Sequence, residues 1–438
     1  MHPQEHRLTR RNLVRGAIGA SAAVGVAGVA AGCANTTTAI GGGVATGNAE
    51  VARLVVAKPT GPLGLPLPRT DNSVTWAITA DNPPIKEGLQ PEGGTLNVYN
   101  YADYIWPGLV KRFEKQFNCN VKIATYGSAD EAAAKLGAGA VDFDVVIGLS
   151  ANHMVKFIAQ QLMLPLTHSY LPNLPKNVWP ALQDPFYDRG ARYTVPYVVW
   201  MDGIGWRNDK IGKDIAGMKV PWDIFWQSSA WKGKVGLLDD ERDALAMPMQ
   251  RDAMRTGATP DLNTDDAAII AKAGRDLAQL TNICNIKVTI TDYQTLPEAK
   301  SWLHHSWSGD LLSAVLYYLP KGTKPDVLSF WGPDKNGVVQ NDLLWILRKS
   351  TKPVLAHAFL DFMLDEKNAY DNFVQFNGYS PPQNKIDGAT LVKQGLIPKS
   401  LEAAVVRPDQ FASNQELLAL SVAGTTRWQD AWSKFKAG

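Results

Sequence analysis

Residues 94–147 read GTLNVYNYADYIWPGLVKRFEKQFNCNVKIATYGSADEAAAKLGAGAVDFDVVI and carry the strongest indication of the fold class. Leu96 and Val98 alternate with polar residues as in a β-strand, and Pro107 begins a segment whose apolar residues recur at helical spacing. A second strand, a helix with a capping signature at Ser128 and a continuous apolar run follow. Strand and helix alternate along the stretch, which predicts an α/β fold.

The same alternation continues toward the C-terminus. The predicted strands are 195–199, 235–238, 286–290 and 338–347, and the predicted helices are 154–161, one that begins at Asp240, 267–280 and 353–364. The last strand contains Gln340, Asn341 and Asp342 inside an apolar run. Because an unpaired buried carboxylate is costly, this polar triplet requires an explanation.

Composition limits the classes of function. The chain has 438 residues, 45% of them hydrophobic and 20% charged, which fits a soluble globular protein of two or three domains. The 44 basic and 42 acidic residues give a net charge of +2, which argues against a nucleic-acid surface. Three cysteines are too few for a disulfide framework, and we predict that Cys119 and Cys284 are free thiols.

The N-terminus has the pattern of an export signal. Arg10 and Arg11 precede an uncharged stretch of small and apolar residues from Gly16 to Gly32, which resembles a twin-arginine signal. The stretch ends in Val-Ala-Ala-Gly before Cys33, which resembles the processing box of bacterial lipoproteins. We therefore predict a leader over residues 1–33, a lipid anchor on Cys33 and a location on the outer face of the cytoplasmic membrane or in the periplasmic space. A plain signal peptide with an incidental cysteine is the alternative.

The segment from Ala34 to Gly94 is rich in Gly, Thr, Pro and Ala. This composition predicts a tether between the membrane and the folded part of the chain. Val74 to Ile78 is apolar enough to form a short strand against the folded part.

An ordered set of short motifs identifies a family. The motifs are Tyr99-Asn100-Tyr101-Ala102-Asp103-Tyr104, Phe143-Asp144-Val145-Val146-Ile147, Val195-Pro196-Tyr197, Gly203-Ile204-Gly205, Leu238-Asp239-Asp240 and the C-terminal Trp432-Ser433-Lys434-Phe435-Lys436-Ala437-Gly438. Together, over residues 95–438, they resemble the spermidine/putrescine-binding proteins of polyamine ABC importers. The resemblance implies a type II periplasmic-binding-protein fold, in which two hinged lobes close on a ligand. The implied lobes are 95–200 with 341–385 and 201–340 with 386–438.

The resemblance also implies the ligand and the site. A polyamine is a flexible methylene chain with protonated amines, so its recognition needs spaced carboxylates and flat aromatic faces. The implied ligand-binding residues are Tyr101, Asp103, Tyr104, Ser150, Asp240, Asp243, Trp307, Asp310, Gln340, Asp342 and Tyr379. The family implies a permease partner, a monomer, no cofactor and no metal. Relatives usually have Trp at the position of Tyr101, an aromatic residue at that of Gln340 and, in the spermidine branch, Tyr near Ala151.

Each of these residues has a purely structural alternative. Asp240 and Asp243 stand where a helix begins, and acids in a first turn cap its amides and favour its dipole. Asp103 could be a loop acid beside packed tyrosines, and Trp307 could be a core residue. Asp342 is the hardest to explain structurally, because it has no basic neighbour in its strand.

Other classes of function remain as alternatives. The chain lacks a His-Glu-x-x-His helix, a Gly-x-Ser-x-Gly turn and a Gly-rich phosphate loop, which argues against an enzyme. Tyr317 and Tyr318 would suit a ferric ion as paired phenolates. A lipoprotein that senses its ligand without transporting it would have the same sequence features.

Overall fold

The computed structural model describes residues 61–139 and 142–438. The predicted leader, Cys33 and the predicted tether up to residue 60 lie outside the described residues. No helix in the described part of the chain is long and apolar enough to span a bilayer.

The described chain alternates strands and helices, which confirms the α/β prediction. The strands are β1 Gly94–Tyr101, β2 Cys119–Tyr126, β3 Val145–Ser150, β4 Val195–Arg207, β5 Val235–Leu237, β6 Lys287–Val288, β7 Leu303–Trp307, β8 Leu328–Trp331, β9 Val338–Ile346 and β10 Gln415–Glu416. The helices before β6 are α1 Pro107–Phe117, α2 Ala129–Gly137, α3 Ala151–Ala159, α4 Asn173–Asn177, α5 Pro180–Gln183, α6 Asp223–Trp226, α7 Glu241–Thr256 and α8 Ala267–Cys284.

The helices after β6 are mostly short. They are α9 Asp292–Thr295, α10 Ser308–Ser313, α11 Pro353–Leu364, α12 Glu366–Asn372, α13 Gly388–Lys393, α14 Pro408–Ser413 and α15 Val422–Ala437. Two π-helical turns, Ala314–Tyr318 and Phe373–Asn377, continue α10 and α12. Single π-helical turns inside or at the end of α-helices are frequent at functional sites.

The strands form one connected sheet in the order β2-β1-β3-β9-β4-β7-β5-β6, with β10 beside β9 and β8 beside β4. Pairs β1–β2, β1–β3, β5–β6 and β5–β7 are parallel, whereas β9 and β4 run antiparallel to their sheet neighbours β3 and β7. The sheet therefore consists of two parallel halves, which two antiparallel strands join in the middle.

Strand β4 belongs to both halves. Its residues from Val195 to Met201 pair with β9, and those from Asp202 to Arg207 pair with β7 and β8. All 13 of its residues are buried. Strand β4 changes its pairing partner between Met201 and Asp202, so one half of the sheet lies on each side of this point.

Local sequence explains the helices that the sequence analysis predicted. Pro107 stands at the first position of α1, and Leu109 and Phe113 form its buried face. The hydroxyl of Ser128 caps α2 by accepting from the amide of Glu131. Asp240 caps α7 in the same way, because its carboxylate accepts from the amides of the second and third helical residues.

Two strand predictions differ from the structure. The segment predicted over 286–290 pairs only at Lys287 and Val288, because it lies at the outer edge of the sheet beyond β5. The segment Val74–Ile78 does not form a strand. Its backbone contacts with the body include two hydrogen bonds at Val74, from its amide to the Phe186 oxygen and from the Arg189 amide to its carbonyl, each 2.8 Å long.

The predicted tether is corrected for residues 61–93, which belong to the folded body. Leu65, Val74 and Trp76 are buried in the same apolar cluster as Tyr99 and Trp345. The indole of Trp76 is 0% exposed and donates a 2.7 Å hydrogen bond to the backbone oxygen of Tyr187. The Pro-rich composition suggested a spacer, but a few large apolar residues are enough to hold the segment on the body.

Candidate functional site

Asp342 lies in the middle of β9, where the two halves of the sheet meet. It is opposite Ser150 of β3 and opposite Val198 of β4. Its carboxylate accepts hydrogen bonds from the Tyr104 hydroxyl at 2.5 Å, the Ser150 hydroxyl at 2.7 Å and the Trp200 indole at 3.4 Å. Burial raises its pKa to about 6, and these three donors counteract the shift. The carboxylate is thus held in place by neutral donors only.

The other two residues of the polar triplet make hydrogen bonds to neighbouring segments. The Gln340 side-chain amide donates to the Leu417 oxygen at 2.9 Å, and the Asn341 amide donates to the Tyr187 hydroxyl at 2.7 Å. The side-chain oxygens of both residues find no partner among the described residues. Gln340 therefore contributes a buried amide where the resemblance implies an aromatic wall.

A second group of residues forms around Asp243 at the start of α7. Asp243 is 2% exposed, and one of its oxygens accepts from the Trp307 indole at 2.9 Å. The rings of Trp307 and Trp200 lie 5.5 Å apart, and the Trp200 indole donates to Asp342. The two indoles therefore connect this group to Asp342. Burial raises the pKa of Asp243 well above its usual range, and the carboxylates of Asp202 and Asp240 raise it further.

A third group lies at the end of β7 and around α10. Asp310 accepts a 2.7 Å hydrogen bond from the Tyr379 hydroxyl. The rings of Tyr379 and Tyr104 meet edge to face at 5.4 Å. Tyr379 thus connects Asp310 to the ring that donates to Asp342.

Tyr101 is common to the three groups. Burial raises the pKa of its phenol, and the carboxylates of Asp240, Asp310 and Asp342 each raise it further. Its ring also lies 5.9 Å from that of Tyr104. Tyr101 therefore faces acids from both halves of the sheet.

The structure places Asp103 apart from the buried acids. It lies in the exposed turn after β1 with a φ of +58°, a conformation that aspartate tolerates better than most residues. Burial and nearby carboxylates raise the pKa of the Tyr293 phenol, and Asp103 is one of these carboxylates. Asp103 is exposed to solvent, unlike the acids around Asp342, Asp243 and Asp310.

Three residues of the site were not singled out from the sequence. Trp200 donates to Asp342, Asp202 lies beside Asp243, and Asp292 lies against Asp310. Asp202 has the same signal as Asp342, because it is an acid inside the apolar strand β4. Asp292 stands in a short helix after the edge strand β6, and its segment gave no comparable signal.

The site contains more buried acidic side chains than buried basic ones. Asp202, Asp243, Asp292, Asp310 and Asp342 are at most 7% exposed. In the described part of the chain the only ion-pair partner of these five is His305, whose ring nitrogen lies 3.3 Å from an Asp202 oxygen. Burial lowers the pKa of His305 to about 3, which leaves it neutral. A site of this kind is electrostatically complementary to a cation that also carries apolar surface.

The alternatives for metal binding find little support within the described ranges. No group of three or more His, Cys, Asp or Glu side chains there is arranged to hold a metal ion. The Tyr317 hydroxyl donates to the Phe373 oxygen at 3.4 Å, and the Tyr318 ring packs on Tyr293 at 5.1 Å. Cys119 and Cys284 are free thiols, as predicted.

Comparisons with known proteins give consistent results. Residues 108–395 match the family model described as bacterial extracellular solute-binding protein. A putrescine/cadaverine-binding protein of Pseudomonas aeruginosa is 30% identical over 335 residues, which cover 74% of this chain and 91% of that protein. The putrescine-binding periplasmic protein SpuD of the same species is 33% identical over 367 residues, 78% of this chain and 92% of that protein.

A solved structure shows the same fold. It is the spermidine/putrescine ABC transporter substrate-binding protein PotD of Streptococcus pneumoniae, with a TM-score of 0.63 and 21% identity over 79% of this chain and 99% of that one. The similarity confirms the expected type II periplasmic-binding-protein fold.

Proposed function

We propose that this chain, which belongs to the bacterial extracellular solute-binding proteins, captures a polyamine such as putrescine or spermidine outside the cytoplasm. The protein would then deliver the polyamine to an ABC permease. The relatives named above bind putrescine or cadaverine according to their names. The observation that carries the proposal is the carboxylate of Asp342, which is buried at the junction of the two sheet halves and held by three neutral donors.

The chemistry of the site fits an elongated polycation. Each charge-assisted hydrogen bond contributes about 1.5–3 kcal/mol, and each cation–π contact about 0.5–2 kcal/mol. Two or three of each support the roughly 8 kcal/mol of a micromolar complex. Asp342 lies on β9 and Asp243 on α7, and the indoles of Trp200 and Trp307, which donate to these two acids, lie 5.5 Å apart. We propose that amines dock on the carboxylates and that the methylenes lie against the rings.

We assign the remaining expected residues to the same ligand. Asp240 and Asp310 supply further carboxylates, Tyr101 and Tyr379 supply rings, and Ser150 orients Asp342. Asp103 acts at the entrance. Gln340 stands beside Trp200 across the β4–β9 pair and closes the wall with an amide.

The two lobes of the proposal keep the boundaries given above. The change of partner in β4 between Met201 and Asp202 supports the first boundary, which falls after residue 200. Strand β9, from Val338 to Ile346, contains the second boundary and Asp342. A hinge through these strands would move Asp243 relative to Asp342 and so open the site.

We further propose that the mature protein is a monomer that a lipid on Cys33 holds at the outer face of the membrane. The small-residue box before Cys33 supports this anchor. Two or more acyl chains anchor stably, whereas one does not.

Titration calorimetry with putrescine, spermidine and spermine tests the proposed ligand. We expect at least one of them to bind with a micromolar or lower Kd and Asp342→Asn to weaken it by roughly 10- to 150-fold, the equivalent of about 1.5–3 kcal/mol. Glu416→Gln is the matched control, because it replaces another buried acid for which we assign no ligand contact. Absence of binding by the unmodified protein, or unchanged affinity in Asp342→Asn, contradicts the proposal.

Ferric ion is the second candidate cargo. Its phenolate pair would have to come from Tyr317 and Tyr318, and the Tyr317 hydroxyl already donates to a backbone oxygen. Titration with ferric citrate in the same instrument separates the two candidates, because a polyamine receptor shows no saturable heat with iron.

A further inference from the structure

Strand β3 contains a β-bulge at Gly148. Residues up to Ile147 pair with β9 in regular antiparallel register, and the register then shifts before Leu149 pairs with Leu343. Gly148 is thus the extra residue of β3, and its φ is +94°, a conformation that residues with a Cβ atom rarely adopt. A shift of one residue turns every later side chain of the strand to the opposite face of the sheet.

The packing of β3 shows this change of face. Val146 and Leu149 belong to one apolar cluster, although residues three apart in a regular strand point to opposite faces, and Ile147 belongs to another cluster. In an unbroken register, Leu149 would stand opposite Asp342 and on the face of Ile147. With the bulge, Leu149 packs into the cluster of Val146, and Ser150 stands opposite Asp342. The bulge therefore places a hydroxyl beside the carboxylate where a leucine would otherwise lie.

Ser150 uses its hydroxyl for Asp342 and not for the helix that follows. It directly precedes α3, at a position where a serine side chain commonly accepts from the first amides of the helix. Among the described residues its hydroxyl makes no such capping bond, and it donates to the Asp342 carboxylate at 2.7 Å. The orientation of this hydroxyl is therefore explained by Asp342.

The missing side chain of Gly148 leaves space for three tyrosines. A Cβ atom at this position would lie 3.1 Å from a ring carbon of Tyr104, 3.1 Å from the Tyr126 hydroxyl and 3.2 Å from the Cβ atom of Tyr101. Carbon atoms in good contact are about 3.5–4.0 Å apart, so a side chain here would displace these neighbours. The ring of Tyr104 thus packs directly on Gly148, and its hydroxyl donates to Asp342 at 2.5 Å.

We propose that Gly148 is a positioning residue of the ligand site, because it sets two of the hydrogen-bond donors of Asp342. Its bulge turns the Ser150 hydroxyl to one carboxylate oxygen, and its missing side chain lets the Tyr104 hydroxyl reach the other. A carboxylate whose two oxygens are each held by a donor is ordered before the ligand arrives, which lowers the entropic cost of binding an ammonium group. The inference rests on the proposed function for its ligand, whereas the positioning itself exists in the ligand-free protein.

The pKa of Asp342 in the ligand-free protein tests the positioning. Burial raises this pKa to about 6, and the hydroxyls of Tyr104 and Ser150 counteract the shift. Gly148→Ala should displace these donors, so we expect the pKa of Asp342 to rise by about one unit in this variant. Carbon-13 NMR of protein with labelled aspartate carboxyls measures the pKa, and Asp342→Asn identifies the signal. An unchanged pKa in Gly148→Ala overturns the inference, whatever the affinity for polyamines.

Gly233→Ala is the matched control for backbone strain. Gly233 also has a positive φ, +74°, and apart from its chain neighbours no described heavy atom would lie within 4 Å of a Cβ atom there. The control therefore introduces a similar strain without displacing a side chain of the site. It should leave the pKa of Asp342 and the affinity for polyamines unchanged. An equal pKa shift in both variants overturns the inference, because general strain would then explain the shift.

A double-mutant cycle tests the consequence for the ligand. Calorimetry uses the tightest-binding of putrescine, spermidine and spermine, and we expect Gly148→Ala to weaken its binding about five- to tenfold. In a protein that already carries Tyr104→Phe and Ser150→Ala, the same change should weaken binding less than about twofold, because the donors that Gly148 positions are absent. Equal losses in both backgrounds overturn the inference while the proposed function stands. Failure of the unmodified protein to bind any polyamine overturns the proposed function and leaves the result on the Asp342 pKa intact.

Two variants that keep the glycine decide the case if Gly148→Ala does not fold. Ser150→Ala and Tyr104→Phe each remove one donor of Asp342 and leave Gly148 in place. Each should raise the pKa of Asp342, because each removes a hydrogen bond to the ionised carboxylate. If neither variant raises it, the inference is overturned, because the bulge then positions no group that acts on the carboxylate.

Discussion

At the scale of single residues, the site is built from acids whose burial opposes stability. Burial raises the pKa of Asp342 to about 6. Burial and neighbouring carboxylates raise the pKa of Asp243 and that of Asp310 well above the usual range of an aspartate. Buried acids that lower the stability of the folded protein are typical of sites that bind a charged ligand. The neutral donors Tyr104, Ser150 and Trp307 orient the carboxylates without neutralising them.

The indole of Trp307 should affect affinity through its N–H group. Trp307→Phe keeps an aromatic ring beside Trp200 but removes the 2.9 Å hydrogen bond to Asp243. Because that bond favours the ionised carboxylate, we expect the variant to bind the amine ligand about five- to tenfold more weakly, the equivalent of about 1–1.5 kcal/mol. Calorimetry measures the change.

Trp302→Phe is the matched control for this prediction. Trp302 packs near Lys234, with the ammonium 5.7 Å from its ring, and we assign it no ligand contact. Affinity should stay the same in this variant. An unaltered Kd in Trp307→Phe would mean that Asp243 does not depend on the indole donor.

At the scale of elements, the segment before β1 connects parts of the body that are distant in sequence. Trp76 and Val74 pack on the core that contains Tyr99, and Arg69 donates to the Ala419 oxygen at 3.0 Å. The same core cluster contains buried residues of strands β1, β3 and β9. This segment therefore contributes to the stability of the body, although its composition resembles that of a linker.

Truncation of Trp76 measures that contribution. Trp76→Ala removes a fully buried indole and its hydrogen bond to the Tyr187 oxygen. We expect the free energy of unfolding to fall by about 3–5 kcal/mol, as for other large buried aromatics. Urea denaturation followed by fluorescence or circular dichroism measures the change.

Leu63→Ala is the control in the same segment, because Leu63 is 68% exposed. Its free energy of unfolding should change by less than about 0.5 kcal/mol. A loss below about 1 kcal/mol in Trp76→Ala would show that residues 61–93 do not fold with the body.

At the scale of the whole molecule, buried acids give the stability a pH dependence. Burial raises the pKa of Glu416 from 4.5 to about 8, and burial raises that of Asp188 and of Asp342 to about 6. Between the unfolded and folded pKa values the folded protein binds more protons than the unfolded chain. The free energy of unfolding therefore falls as pH rises through this window.

Glu416 should account for the upper part of the window. Between pH 5 and pH 8 we expect the stability of the ligand-free protein to fall, and Glu416→Gln to remove on the order of 3 kcal/mol of that fall. Urea denaturation at pH 5, 6.5 and 8 measures the slope. Asp342→Asn is the comparison, because it should alter the slope only below about pH 7. An identical slope in Glu416→Gln and the unmodified protein contradicts the prediction.

The local features of this protein can be predicted from short stretches of its amino-acid sequence. The alternation of strands and helices, the caps at Ser128 and Asp240 and the functional signal of Asp342 depend on residues close together in the chain. Such features are encoded by spacing and by side-chain chemistry, so they can be predicted without knowing the fold.

The contacts between residues that are distant in sequence become visible only in the folded protein. Asp292 and Asp310 come from separate helices, Trp200 reaches Asp342 across a strand pair, and Trp76 finds its pocket among residues far along the chain. Exposure of Asp103 and burial of Asp292 likewise depend on long-range packing. No local pattern records these contacts, because the free energy that fixes them comes from burial between segments that the sequence keeps apart.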